Sequence, residues 1–104
     1  MLTRDEIIAR TEKIEKRLRT MLEPFGVRIA YRYESEAVTG HIIIAIFDFT
    51  LVYGASDSRR SLGVSRAIDT REMEYVNYDI AAFWAGDVTR KMLELLAAEN
   101  PNQP

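Results

Sequence analysis

Gly40-His-Ile-Ile-Ile-Ala-Ile-Phe-Asp-Phe-Thr-Leu-Val-Tyr-Gly54 is the stretch that decides the fold. Successive side chains on a strand point to opposite faces. Here His41, Ile43, Ala45, Phe47, Phe49, Leu51 and Tyr53 share one face, and Ile42, Ile44, Ile46, Asp48, Thr50 and Val52 share the other. Both faces are largely apolar, and glycines bound the run. A strand of this kind is covered on both sides, by helices or by another subunit. The stretch therefore reads as the central strand of a sheet, and Asp48 is its one carboxylate.

Working outward toward the N-terminus, residues 35–40 are a polar connection of hairpin length. Residues 27–34 alternate, with Val27, Ile29, Tyr31 and Tyr33 on one face and Arg28, Ala30, Arg32 and Glu34 on the other. That is the pattern of a half-buried strand. Residues 3–23 predict a helix. Thr3-Arg-Asp-Glu6 is a capping box, and Ile7, Ile14, Leu18, Met21 and Phe25 form a stripe at helical period, with Thr11 filling one gap. Glu6/Arg10, Glu12/Lys16 and Glu15/Arg19 are acid-first pairs four apart, which marks the opposite face as solvated. Pro24 and Gly26 stop the helix.

Toward the C-terminus, residues 54–61 read as a loop and residues 62–68 as a third strand, with Leu62, Val64, Arg66 and Ile68 on one face. Residues 69–71 read as a turn, and residues 72–78 as a fourth short strand or an extended lead-in. Residues 79–99 predict a second helix with Asp79 as N-cap and Ile80, Phe83, Trp84, Val88, Met92, Leu95 and Leu96 as its apolar face. Gly86 inside it reads as a kink or a point of close approach. Residues 100–104 are a polar tail.

The expected architecture is α+β: a single domain over residues 1–99, with an antiparallel meander of three to four strands. The N- and C-terminal helices pack together on one face. The aromatic odd face of the central strand should meet them, because Ala45 leaves room for a helix. Ile42, Ile44 and Ile46 then face away.

At 104 residues the chain can bury a substantial core, and a net charge of −2 gives no global attraction to nucleic acid or acidic membrane. There are no cysteines and one histidine, so disulfides and a structural zinc site are outside its means. The polar N-terminus lacks the apolar core of a signal peptide, and the run from Ile42 to Phe47 is far short of the roughly 20 residues of a membrane span. A cytoplasmic protein without membrane association or cofactor is the expectation.

Asp48 is the most unusual residue, since a carboxylate among isoleucines needs a cation or several donors beside it. Arg28 and Arg32 on the neighbouring strand are its natural partners, with Arg66 as a third. One reading is an acid or anchor in a binding groove; the simpler one is a paired charge fixing strand register or a subunit contact. His41 and Asp48 with a serine would make a hydrolytic triad on paper, but no nucleophile motif supports it. Arg59, Arg60, Arg66 and Arg71 follow the central strand closely and, with nearby serines, form a candidate anion-binding group. The simpler reading there is a solvated loop balancing the acidic C-terminal third. The aromatic residues read mainly as core, with Tyr75 and Tyr78 the ones expected at the surface.

The order α-β-β-β-α resembles that of double-stranded RNA-binding domains, and Gly40-His41 is similar to part of their Gly-Pro-x-His loop. The second helix of those domains begins with a lysine cluster, where this chain has Tyr78-Asp-Ile-Ala, so no family is assigned.

The functional expectation is a non-enzymatic interaction protein of adaptor, chaperone, immunity or inhibitor type, such as phages and mobile elements encode. It acts as a homodimer or docks on a protein partner through the outer sheet face, using Ile42, Ile44, Ile46, Asp48, Arg28 and Arg32. The alternative is a nucleic-acid or phosphate-ligand module using the arginine-rich loop.

Overall fold

The computed structural model describes residues 2–35, 43–53 and 58–99. His41 and Ile42, the segments 36–40 and 54–57, and the tail 100–104 lie outside them. The elements run α1 (Arg4–Leu22), a short 3-10 turn (Glu23–Phe25), β1 (Val27–Ser35), β2 (Ile43–Tyr53), β3 (Ser58–Asp69), α2 (Thr70–Tyr75) and α3 (Ile80–Glu99). The sheet is antiparallel in the order β1-β2-β3, so the expected α+β meander is the fold.

α1 begins at the capping box. The Glu6 amide donates to the Thr3 hydroxyl at 3.2 Å, and the Thr3 amide donates to the Glu6 carboxylate at 3.3 Å. Thr11 is fully buried because its hydroxyl donates to the Ile7 carbonyl at 2.8 Å, which satisfies the polar atom inside the helix. Glu15 pairs with Arg19 as expected, whereas Arg10 turns to the Met73 carbonyl of α2. The stripe ends differently from the expectation: Leu22 is buried and Phe25 is 62% exposed. The 3-10 turn tightens the chain after Leu22 and rotates Phe25 off the helical phase.

Gly26 adopts φ +86°, caps the 3-10 turn and leads into β1. Its carbonyl accepts the Val52 amide at 2.8 Å, and a Cβ there would lie 2.6 Å from the Val52 carbonyl oxygen. Only glycine combines this φ with so close an approach.

The odd face of β2 is the floor of the core: Ala45, Phe47, Phe49 and Leu51 are all buried. α1 lies over β1 and α3 over β3, and the two helices pack on each other. Phe47 stacks between Tyr31, with centroids 5.7 Å apart, and Trp84, at 5.4 Å. The buried face of α3 is Ile80, Ala81, Trp84, Ala85, Val88 and Met92. Phe83 and Leu96, expected in the core, are exposed, Phe83 at 66%. The two alanines let α3 sit close, and that rotation turns Phe83 outward. The helix runs unbroken through Gly86, which lies on its exposed side with nothing within 4 Å of a built Cβ. The glycine therefore neither kinks the helix nor serves a close contact among the described residues.

Two boundaries move. β3 starts at Ser58, so Arg59 and Arg60 belong to a strand rather than a loop, paired with Val52 and Leu51. The register shifts between Asp48 and Thr50, where Leu62, Gly63 and Val64 bulge opposite Phe49, with Gly63 at φ +65°. Residues 70–75 are a helix in place of the turn and fourth strand. The Asp69 carboxylate caps it, accepting the Glu72 amide at 2.8 Å, and Met73 is buried beneath it.

Candidate interaction face

Residues opposite each other in antiparallel strands share a face. The register therefore writes the sheet side that the helices leave open as five rows along β2. Glu34, Ile44 and Asp69 form the first, and Arg32, Ile46 and Ala67 the second. Ala30, Asp48 and Ser65 follow, then Arg28, Thr50 and Ser61, and finally Val52 with Arg59. Ile44, Ile46, Thr50 and Val52 are half-buried by their neighbours on the sheet, and Ala30 and Ala67 are exposed beside them.

Asp48 ties the three strands together. Its carboxylate takes the Arg32 guanidinium from β1 and the Ser65 hydroxyl from β3. Arg32 reaches on to Glu34 at 3.3 Å. The Asp48–Arg32 side chains are 43% and 52% exposed, so the pair is worth no more than about 1 kcal/mol. Of the three arginines expected around Asp48, Arg32 is its partner. Arg28 lies one row away opposite Thr50 and makes no ion pair among the described residues.

Arg66 is on the helix side of the sheet. There its Nε donates to Asp87 of α3 at 3.1 Å, and its terminal nitrogen donates to the Ser65 carbonyl at 2.9 Å. This pins α3 to β3. The four arginines of the anion-binding group are thus dispersed. Arg59 is on the open face, Arg60 and Arg66 are on the helix side, and Arg71 on α2 pairs with Asp69 at 3.1 Å. His41 lies outside the described residues, and Asp48 sits on the open sheet face. Among the described residues no three His, Cys, Asp or Glu side chains gather at metal-binding spacing, and no helix is long and apolar enough to cross a membrane.

One feature was missed from the sequence. Arg10, Lys13 and Arg17, spaced three and four apart on α1, line a cleft of about 530 Å³ closed by α2 and the start of α3. The spacing puts them on one helix face, but the apolar floor comes from elements distant in sequence.

Comparison with known proteins finds no matching family model, no similar curated protein and no matching solved structure.

Proposed function

We propose that the protein is a non-enzymatic interaction module, and that its open sheet face stacks on the same face of a second copy. The observation that carries this is the order of side chains on that face. Ile44 and Ile46, with Ala67 and Ala30 close by, lie level with Glu34 and Arg32 toward one end of β1, and Arg28 lies toward the other end, level with Thr50. A two-fold axis crossing β1 near Tyr31 would bring Arg28 of one copy over Glu34 of the next, twice per dimer. On that axis Ile46 of each copy would lie over Asp48 of the other and Ile44 over Thr50, so both isoleucines would be buried between the sheets.

Size sets the strength. Nine residues of β2 across three strands make a face of about 27 Å by 14 Å, or roughly 400 Å² per copy. Twice that is below the roughly 1,200 Å² of standard stable interfaces, so a weak, reversible dimer with a micromolar dissociation constant is expected. A cytoplasmic setting belongs to the same reading and rests on the cysteine-free composition. A protein partner presenting a matching apolar strand is the other occupant of this face.

Charge exchange tests the arrangement. Arg28→Glu should weaken dimerisation roughly tenfold, because the symmetry makes each substitution count twice, and adding Glu34→Arg should restore it. A double variant no stronger than the single one would refute the antiparallel stack.

A further inference from the structure

We propose that the cleft between α1 and the α2–α3 junction binds a small amphiphilic anion, a carboxylate or related acid on an apolar or aromatic body. The site is independent of the open sheet face. Its floor is apolar, made by Ile68, Met73, Ile80 and Ala81, all buried. Its α1 wall carries Arg10, Lys13 and Arg17. Arg17 is matched by Asp79, whose carboxyl that hydrogen bond, together with the Ala82 amide, holds below its ordinary range. The other two cations make no contact ion pair among the described residues, although Glu6 lies one turn from Arg10 and feels its charge. Lys13 makes no ion pair among the described residues, and Arg10 donates to the Met73 carbonyl at the end of α2.

That bond holds the guanidinium in place at the cleft while leaving its charge and its remaining donors available. Two cations above an apolar floor, neither held in a contact ion pair among the described residues, attract an acid whose body can cover the floor. The volume of about 530 Å³ is within the usual range for small-molecule sites. Tyr78, exposed at the rim, offers a flat surface for an aromatic body.

The probe is 8-anilinonaphthalene-1-sulfonate, an anionic aromatic amphiphile, titrated by fluorescence into the intact protein. Binding should weaken about tenfold in Lys13→Glu, an exposed position whose change does not threaten the fold, and should be unchanged in Ile46→Glu on the sheet face. A naphthalene carboxylate should displace the probe, and inorganic phosphate should not. Amide shifts on probe addition should centre on Ile14, Val76 and Ala81. Absence of binding, indifference to Lys13→Glu, loss in Ile46→Glu, or equal displacement by phosphate would each overturn the proposal.

Discussion

Gly26 and Gly63 share a left-handed backbone but not an environment. At Gly26 a Cβ meets the Val52 carbonyl oxygen at 2.6 Å; at Gly63 nothing lies within 4 Å. Gly26→Ala should therefore cost about 2–3 kcal/mol, combining left-handed strain with displacement of the β2 end. Gly63→Ala should cost about 1 kcal/mol, from strain alone. Urea unfolding of the two variants checks the contrast, and equal losses would mean that the Val52 contact carries nothing. Gly26 could be read from sequence because a helix stop followed by an alternating strand is a local signal. Arg66 was expected beside Asp48 but lies on the helix side of the sheet, because its partner Asp87 is 21 residues away on an element whose rotation is set by packing. The same rotation is why Phe83, apolar and in helical phase, is outside while Ala81 and Ala85 are buried.

At the scale of elements, α1, β1, β2 and α3 were legible because each carries its own period and its own ends. α2 was not, although Asp69-Thr-Arg-Glu72 offers a cap. Met73 and Tyr75 alternate like a strand, and six residues are too few for a helical period to show. Its cap makes a pH prediction. The Glu72 amide, then Arg71, holds the Asp69 carboxyl below its ordinary range despite partial burial. A carboxyl depressed in the folded state stabilises fully above its unfolded value, near 4, and that contribution is lost as pH falls through the folded value. Asp69→Asn keeps a capping oxygen but cannot titrate. It should match the parent near neutrality only to within the lost Arg71 pairing, and show a shallower fall in stability from about pH 5 to pH 3. Denaturant unfolding at both ends of that range measures it, and identical slopes would contradict it. On α3, Gly86→Ala should stabilise the chain by about 1 kcal/mol, since the position is helical, exposed and open. A destabilisation would reveal a contact at that face.

Among the described residues the molecule has two layers, with the helices on one side of the sheet. The odd face of β2 explains why it folds; the even face is half-covered by its own neighbours and carries the functional proposal. Asp48, the carboxylate that stood out in the sequence, is part of that face as a clamp across three strands. The most direct test is the mass in solution by light scattering, from low micromolar to near-millimolar concentration. The parent should rise from one chain, 12.0 kDa, toward twice that mass, while Ile46→Glu stays at 12.0 kDa throughout. A parent that remains at 12.0 kDa over the whole range, or a dimer that Ile46→Glu leaves intact, would contradict self-association through the open sheet face.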